Sequence, residues 1–481
     1  MAGKRPEVAP GYVPGQKIKL SVDPMTRIEG HLKVEVEVKD GVVVDARCEG
    51  PMFRGFENIL IDRDPRDASQ LVQRICGVCP TAHATASVRA LDDAFNVKVP
   101  TNGRIMRNLI FGANYLQSHI LHFYHLAALD YVKGPDVAPF VPRYQNTDIR
   151  VDPATNAVGV DQYLKALEVR RTCHEMVAMF GGKMPHVQGL VVGGTTEIPT
   201  VDKIVGFLWR FKKVTQFIED EYLPLVYALG GVYPDLLETG TGCKNLISFG
   251  VFPLDDAETQ FMHKPGVYTN GKDAPLDTDK ILEYVKYSWF DDATTGLHPS
   301  KGETKPDPYK EGAYSFVKAP RYNNLPHEAG PLARMWITNP ELSPAAKAAG
   351  FNRMRDFGDK AFSILGRHIA RAEEALMVAK AVEQWLGEVK PGEETFTHAD
   401  VPAKGEGMGL TEAPRGSLLH YIKIDDHYIE NYQIIAATIW NASPRDDMGQ
   451  RGPMEEALIG IPVPDPSSPI NVGRIVRALD P

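Results

Sequence analysis

The feature that most constrains this chain is residues 74–83, Arg-Ile-Cys-Gly-Val-Cys-Pro-Thr-Ala-His. Cys76 and Cys79 lie three positions apart, so one turn of backbone brings both thiols to the same side, within reach of one metal centre. Gly77 lets the backbone bend beneath the sulfurs, and Pro80 is suited to the start of a helix. The pair alone is compatible with half of a zinc site, a redox-active dithiol or half of a transition-metal site.

Composition narrows the class of protein. The 481 residues are 43% hydrophobic and 24% charged, with a formal net charge of −9, and no basic patch stands out. Nucleic acid is therefore not an expected partner. The five cysteines suit reduced thiols rather than a disulfide framework, and Cys48, Cys173 and Cys243 are interpreted as structural thiols. We expect no signal peptide, and no stretch approaches the ~20 apolar residues that span a bilayer.

Hydrophobic periodicity predicts a mainly α fold with a small β-sheet, an α+β arrangement that forms one large unit over residues 1–481. Residues 1–16 are expected to be a loose arm. Apolar and charged residues alternate over 32–39 and are followed by Asp40-Gly41, which predicts a β-hairpin within residues 17–50. Residues 51–240 are expected to be a helical core that contains the cysteine pair.

Within that core, helical spacing predicts helices at 103–132, 161–180 and 200–229, with a glycine-rich loop between the last two. Residues 241–340 are rich in Gly, Pro, Asp and aromatic residues, so irregular structure with short strands is expected there. Residues 341–481 are expected to hold the C-terminal helices and an active-site segment. The predicted elements in that part are helices at 353–389 and near 454–459, and a short strand at 418–424.

Two polar stretches near the N-terminus are candidates for chemistry. Glu29 lies between Arg27 and His31, where an acid could relay protons, although a plain surface turn explains the same residues equally well. Glu57 follows a run of aromatic residues. It could bind a hard cation through oxygen, or it could pair with Arg54.

Three further stretches are polar. The sequence places histidines at 119, 122 and 125, and on a helix each would be rotated by about 60° around the axis from the one before it. They therefore cannot all face one ion. We expect His119, His122 and His125 to be buried and hydrogen-bonded. Arg415 lies between Pro414 and Gly416 and is interpreted as a positioned cation or donor. Residues 438–446 form a dense run of hydrogen-bonding groups.

Taken together, these motifs resemble the large subunit of nickel–iron hydrogenases over essentially the whole length of the chain. The resemblance is carried by residues 27–31, 53–57, 74–83, 118–126, 413–420 and 471–481. Residues 114–135 look closest to the nickel–iron–selenium subgroup. The resemblance implies the hydrogenase large-subunit fold and reversible oxidation of H2 to protons and electrons.

The resemblance also implies roles at the metal centre. Cys76 would be a terminal nickel thiolate, and Cys79 would bridge nickel to an iron that carries CO and cyanide. Soft thiolates suit both metals. Glu29 would be the first proton carrier, for which a carboxylate with a pKa raised towards the working pH is suited. Arg415 would be suspended over the metals and act in H2 activation.

Further roles implied by the resemblance lie around that centre. His83 would orient the bridging thiolate, Thr438 would donate to a cyanide, and Pro414 and Asp480 would flank the site. Glu57 and the main-chain carbonyl of Ile434 would bind a separate Mg or Fe ion that braces the C-terminus.

The resemblance implies a partner and a location as well. Electrons must leave a buried site, and this chain has too few cysteines to hold iron–sulfur clusters. A small subunit carrying such clusters would form a heterodimer with it and pass electrons to a cytochrome or another acceptor. Its twin-arginine signal would export both chains to the periplasm, with the cytoplasm as the alternative location.

The chain departs from the family at its end. The family supplies a second ligand pair from an Asp-Pro-Cys-x-x-Cys-x-x-His segment, and this sequence ends at Asp480-Pro481. Our hypothesis is that the next codon is a UGA for selenocysteine that was read as a stop; a selenol is more acidic than a thiol and suits a nickel ligand. Genomic DNA beyond codon 481 tests this. A truncated or defective subunit is the rival, and a chain processed too early ranks last.

Two other classes of function compete with a hydrogenase. A non-catalytic relative, like the quinone-site subunit of respiratory complex I, would share the fold but lack Cys76 and Cys79. A zinc-braced structural protein would need a second cysteine or histidine pair at useful spacing, and the sequence contains none.

Overall fold

The structure, a computed structural model, describes residues 12–481, so most of the expected loose arm at 1–16 lies outside the described residues. The longer helices are α3 (Pro80–Ala94), α4 (Thr101–Leu121), α5 (Pro153–Gly181), α6 (Val201–Phe217), α7 (Leu223–Val232), α10 (Ile364–Glu388) and α13 (Ile470–Leu479). The shorter helices are α1 (Phe56–Leu60), α2 (Ala68–Leu71), α8 (Pro331–Thr338), α9 (Pro344–Ala348), α11 (Ala437–Asn441) and α12 (Pro453–Leu458).

The strands form five separate antiparallel sheets within residues 12–481. Two three-stranded sheets contain β1 (Lys17–Val22), β2 (Lys33–Lys39), β3 (Val42–Glu49) and β6 (Leu246–Pro253), β7 (Phe261–Thr269), β8 (Lys272–Ala274). A third contains β11 (Lys404–Ala413), β12 (Gly416–Asp425) and β13 (Tyr428–Ile435). The pairs are β4 (Leu190–Val191) with β5 (Gly194–Thr195), and β9 (Ile281–Tyr284) with β10 (Ala319–Tyr322).

The predicted N-terminal hairpin is present. Strands β2 and β3 pair in an antiparallel register, and Asp40 and Gly41 between them both have positive φ, as a two-residue turn with this sequence favours. The prediction lacked β1, which adds a third strand by pairing with β2.

The predicted helices are present with different bounds. Helix α4 ends at Leu121, and the chain continues as a π-helical turn, His122–Ala127. The helix predicted at 161–180 begins earlier, at Pro153, capped by Asp152. The helix predicted at 200–229 is divided into α6 and α7 by a second π-helical turn, Ile218–Tyr222. The helix predicted at 353–389 is divided into a 3-10 segment, Met354–Phe362, and α10.

Strand β11 packs against helix α3 with almost no side chain between them. A Cβ atom at Gly407 would lie 2.1 Å from the carbonyl oxygen of Ala90, and one at Gly409 would lie 1.9 Å from that of Ala86. A Cβ at Gly405 would lie 2.5 Å from the carbonyl of Ala94. Only glycine permits so close an approach of two backbones. The hairpin of β11 and β12 is thereby held against the helix that follows the cysteine pair.

One main hydrophobic cluster draws on residues from the N-terminal sheet, the long helices and the C-terminal segment, from Tyr12 to Leu479. A smaller cluster lies between β6, β12 and α11. The main cluster is the basis on which we propose that the chain forms one unit. No helix in the described part of the chain combines the length and apolar character that crossing a membrane requires.

Candidate metal centre

Cys76 and Cys79 are brought together by the turn that precedes α3. Pro80 occupies the first turn of that helix, and Cys79 is the residue before it. Both cysteines are buried, and Cys79 Sγ lies 2.7 Å from Cys76 Sγ. The Cys79 thiol donates to Cys76, which lowers the pKa of Cys76 and, together with burial, raises that of Cys79. The two buried sulfurs therefore lie close enough together to share one soft metal.

Glu29 lies directly beside the cysteine loop. Its Oε1 accepts a hydrogen bond from the backbone N–H of Gly77 at 3.0 Å, and its own N–H donates to the carbonyl of Pro481 at 3.2 Å. The side chain is half-buried. The carboxylate thus contacts the cysteine loop and is partly exposed to solvent.

The two residues that flank Glu29 in the sequence do not join it. Arg27 reaches the carbonyl of Leu126 at 2.6 Å and Asp130 at 2.5 Å, and His31 is exposed. The Arg-Glu-His relay considered from the sequence is therefore not formed, and Glu29 alone lies at the cysteine pair.

Arg415 is presented by a tight turn. Pro414 and Arg415 connect β11 to β12, in which Ala413 pairs with Gly416. The Arg415 side chain is 2% exposed, yet none of its guanidinium nitrogens has a hydrogen-bond partner among the described residues. Its charge favours the thiolate form of both cysteines, although the pKa of Cys79 is still raised by the Cys76 thiol and by burial; the guanidinium therefore lies near the sulfurs.

Asp480 is the counter-charge of Arg415. The residue follows α13 in a left-handed conformation, and its Oδ1 lies 3.1 Å from Arg415 Nε. His122 Nε2 and Arg371 Nε lie 3.8 and 3.9 Å away from the same carboxylate. Although burial opposes the charged form, Asp480 and the cysteines raise the pKa of Arg415. Neither oxygen of Asp480 has a hydrogen-bond partner in the described part of the chain.

The orphaned atoms of Arg415 and Asp480 test whether a further group fits this place. Buried polar atoms in folded proteins are nearly always hydrogen-bonded, so two adjacent unpartnered groups need partners that the protein alone does not supply. Together with two buried thiols, they fit a soft-metal centre with polar ligands.

Three other predicted residues lie in α3, in the turn between β11 and β12, and in α11. His83, one turn into α3, contacts His420 at 3.1 Å between ring nitrogens, and burial lowers the pKa of His83 to about 3. Pro414 contributes its carbonyl to Arg334. Thr438 is half-buried in α11, and no side-chain hydrogen bond of Thr438 is formed within residues 12–481.

The comparisons with known proteins decide the family. The family model described as nickel-dependent hydrogenase matches residues 54–137 and 132–481, and a HoxL-like model matches residues 19–49. The periplasmic [NiFeSe] hydrogenase large subunit of Desulfomicrobium baculatum is 66% identical over 97% of this chain and 94% of the relative. This chain belongs to the nickel-dependent hydrogenase family.

More distant relatives and solved structures agree with membership of this hydrogenase family. The hydrogenase-2 large chain of Escherichia coli (strain K12) is 32% identical, covering 96% of each chain. A reduced, active form of the Ni-Fe-Se hydrogenase from Desulfomicrobium baculatum superposes with a TM-score of 0.94 at 66% identity, over 96% of this chain and 99% of the other. The reduced Ni-Fe-Se hydrogenase from Desulfovibrio vulgaris Hildenborough superposes with a TM-score of 0.95 at 61% identity, over 97% of this chain and 98% of the other.

These findings confirm the main expectations. The large-subunit fold and its α+β class are confirmed, and so is the function of a hydrogenase catalytic subunit acting on H2. A nickel–iron centre is supported at the level of the family. The expected periplasmic location agrees with the relative named as periplasmic.

The second hydrogenase site expected from the sequence lies at Glu57. Its Oε1 accepts from the backbone N–H of Ile434 at 2.8 Å, and its Oε2 accepts from the Thr304 hydroxyl. Because N–H and C=O of one residue in an antiparallel strand point to the same side, the carbonyl of Ile434 also faces Glu57. Arg54 instead binds the carbonyls of Arg74 and Ile75, so the alternative Arg54–Glu57 ion pair is wrong.

The three histidines after Ser118 diverge, as expected. His119 Nε2 lies 2.9 Å from Glu374, His122 Nε2 lies 2.6 Å from the carbonyl of Arg477, and His125 Nε2 lies 3.2 Å from that of Tyr163. They contact separate partners, so their ring nitrogens do not converge on one point.

Sequence reasoning missed Arg334, which holds the Arg415 turn in place. Arg334 makes hydrogen bonds to both oxygens of Glu374, to Glu412, and to the carbonyls of Ala413 and Pro414, at 2.6 to 2.9 Å. Pro331 starts its helix within a Gly-Pro-Leu-Ala-Arg segment, and that helix start is the one signal that a sequence could offer.

Proposed function

We propose that Cys76 and Cys79 hold one half of a nickel–iron centre at which this hydrogenase oxidises H2 reversibly. The observation that carries the proposal is the buried thiol pair, 2.7 Å between sulfurs, beside unpartnered Arg415 and Asp480. When bound, the centre supplies the redox chemistry of H2 cleavage. Soft thiolates are the donor type that nickel and low-spin iron favour.

Glu29 is proposed as the proton carrier. Its hydrogen bond to the N–H of Gly77 holds the carboxylate between the two cysteines' loop and the surface, so it can accept a proton from a sulfur and release it outward. Carboxylates perform such transfer when they lie within hydrogen-bond reach. The proposal is supported by the contact of Glu29 with the cysteine loop on one side and by its partial exposure on the other.

Arg415 and Asp480 are proposed to face the reacting molecule. A guanidinium held without hydrogen-bond partners in a buried place is ready to donate to a ligand without first breaking other bonds. Pro414 adjoins Arg415 in the turn between β11 and β12. We propose that Pro414 and Thr438 would lie against the CO and cyanide ligands of iron and that the Thr438 hydroxyl would donate to a cyanide. His83 is proposed to orient a thiolate ligand.

Glu57 and the carbonyl of Ile434 are proposed as two oxygen ligands of a separate Mg or Fe ion. Oxygen donors suit a hard cation. The remaining positions would be filled by water and by groups outside the described residues, since these residues contain no group of three or more His, Cys, Asp or Glu side chains positioned for one ion.

A partner subunit with iron–sulfur clusters is proposed to dock beside Glu29. Val137, Val141 and Tyr144 are 52, 54 and 44% exposed, which is unusual for three large apolar side chains in one short segment. The Tyr144 ring lies against Arg27, two residues from Glu29. Docking there would place the iron–sulfur clusters of the partner next to the metal centre. A cytochrome or another acceptor would then take electrons from those clusters.

Metal analysis tests the proposal. The purified complex is expected to contain nickel and iron and to reduce a dye with H2, and the likeness to [NiFeSe] enzymes is the reason to measure selenium in the same sample. Cys76→Ser and Cys79→Ser should lose nickel and activity. Cys173→Ser, which changes another fully buried thiol, is the matched control.

Absence of nickel from the parent complex, or full activity in Cys76→Ser, would overturn the proposal. A non-catalytic subunit like that of respiratory complex I would give the first result, a complex without nickel.

A further inference from the structure

Behind His83 lies a continuous string of four buried polar side chains. His83 Nδ1 lies 3.1 Å from His420 Nε2, and His420 Nδ1 lies 2.8 Å from the Tyr432 hydroxyl. The Tyr432 hydroxyl lies 3.0 Å from Ser87 Oγ. His420, Tyr432 and Ser87 are wholly buried, and His83 is 3% exposed. The string ties α3 to β12 and β13 on the side of α3 that carries His83.

Each link of this string holds one hydrogen, so the hydrogens can run in only two directions. In one direction Ser87 donates to Tyr432, Tyr432 to His420, and His420 to His83. In the other direction every bond is reversed. A neutral imidazole has one donor and one acceptor nitrogen, so the direction decides which nitrogen of His83 carries the proton.

Ser87 distinguishes the two directions. Within residues 12–481, Ser87 Oγ has no hydrogen-bond partner other than Tyr432. If Tyr432 donated to Ser87, the serine hydrogen would be buried without an acceptor, which is costly in a protein interior. If Ser87 donates, every link of the string has a donor and an acceptor, and the one hydrogen left without a partner among residues 12–481 is that on Nε2 of His83, the one residue of the four that is not wholly buried.

We propose that Ser87, Tyr432 and His420 are positioning residues that fix His83 as the neutral tautomer with its proton on Nε2. This inference rests on the proposed function for its purpose, because Nε2 is then the nitrogen left free to donate to a sulfur of the centre. Cys79 lies one helical turn before His83, and residues four apart share a helix face.

The surroundings of His83 keep it neutral. Burial and the charge of Arg54 both disfavour the imidazolium form and lower the pKa of His83 to about 3. Within residues 12–481, no carboxylate is hydrogen-bonded to the side chains of the string. A neutral donor of fixed direction would withdraw electron density from a thiolate, as hydrogen bonds to metal-bound sulfur do.

Nitrogen NMR shows directly which ring nitrogen of His83 carries the proton. The two ring-nitrogen resonances of His83 are recorded by solid-state NMR in the 15N-histidine-labelled enzyme complex, assigned by their loss in His83→Gln. In the parent we expect the proton on Nε2. Tyr432→Phe should give a mixture of tautomers because both directions then leave one nitrogen of His420 unpartnered.

Conservative changes separate positioning from packing. Ser87→Ala should leave the proton on Nε2, since Tyr432 still donates to His420. His420→Leu should lose the preference, and His420→Gln should restore it because the amide can donate to His83 and accept from Tyr432. Tyr421→Phe, which removes a neighbouring hydroxyl bound to Glu406, should change nothing.

Two outcomes overturn the inference: a proton on Nδ1 in the parent, or a tautomer change in Ser87→Ala as large as in Tyr432→Phe. The measurement does not depend on bound metal, so its failure is distinguishable from a failure of the metal analysis. In a loaded enzyme, Tyr432→Phe should also shift the potential of the nickel centre to a lower value, and Ser87→Ala should not.

Discussion

Arg334 and Arg415 are both buried and belong to one small region, but their surroundings are opposite. Arg334 is fully buried, and each of its nitrogens is hydrogen-bonded to Glu374, Glu412 or the carbonyls of the Pro414 turn. Arg415 emerges from that turn with no hydrogen-bond partner in the described part of the chain. Its charge is offset by Asp480, at 3.1 Å, and by the nearby cysteines.

The difference shows how the fold divides two tasks between two identical side chains. The carboxylates and carbonyls around Arg334 fix a turn, and the turn then holds Arg415 in a place where it keeps its donors free. A buried cation without partners is expensive unless something else compensates it. We infer that the compensation at Arg415 comes from the ligands of the metal centre, and the variants below test this division.

The largest effect is expected for Arg334→Met. Removing one partner of a buried ion pair leaves Glu374 and Glu412 uncompensated, which costs about 3–5 kcal/mol. The free energy of unfolding from urea denaturation of the complex checks this. Arg355→Met, which breaks a partly exposed pair with Asp273, should cost less than about 1 kcal/mol. An equal loss of unfolding free energy in Arg334→Met and Arg355→Met would contradict the structural role assigned to Arg334.

Arg415→Lys should preserve stability and reduce activity. Lysine keeps the charge but lacks the planar donor fork, and loss of one pre-organised donor typically lowers turnover by roughly 10²–10³-fold. H2-dependent dye reduction per nickel atom measures the change. If stability fell as much as in Arg334→Met, Arg415 would be a structural arginine as well.

Two buried glutamates, Glu374 and Glu455, extend the comparison to the pH dependence of stability. Glu374 is fully buried, and although burial alone would raise its pKa, Arg334 and two histidines lower it well below the usual range. Glu455 is also fully buried, but among residues 12–481 its carboxyl accepts only from the N–H of Cys48 and the Tyr314 hydroxyl. Burial raises the pKa of Glu455 to about 7.

The folded state therefore binds a proton at Glu455 that the unfolded state releases near pH 4.5. The stability that this group contributes is present below about pH 4.5 and is lost as the pH rises to about 7, by about 3 kcal/mol. Urea denaturation between pH 5 and 8 should show the decline, and Glu455→Gln should remove most of it. A decline of the same size in Glu455→Gln would assign it to other groups.

The smallest expected effect is that of Glu29→Gln. The amide can still accept from Gly77, so the centre and its nickel content should be unchanged. It cannot carry a proton, so H2 oxidation should fall by roughly 10²-fold, the lower end for general acid–base groups. Glu37→Gln, on the exposed face of β2, is the control. Unchanged turnover in Glu29→Gln would require another proton route.

Much of this arrangement could be predicted from the sequence. The cysteine pair, the N-terminal hairpin and most long helices follow from local patterns, because alternation and helical spacing are set by neighbours in the chain. The separation of His119, His122 and His125 also follows from helix geometry alone.

The remainder depends on pairings across the chain. Arg334 finds Glu374 and Glu412, which lie 40 and 78 positions away, and no local pattern encodes those choices. Strand β11 was not predicted because its alternate glycines, Gly405, Gly407 and Gly409, imitate a loop. They are glycines because the strand lies directly against α3.

The contact between the glycines of β11 and the backbone of α3 fixes the distance between these two elements. The cysteine pair precedes α3 and the Arg415 turn follows β11, so the spacing between sulfur and guanidinium is transmitted through two backbones in direct contact. Because no side chain lies between the two backbones, no change of rotamer can compensate for a change in their separation. A single added methyl at Gly407 would move one side of the centre relative to the other, although Gly407 itself touches neither.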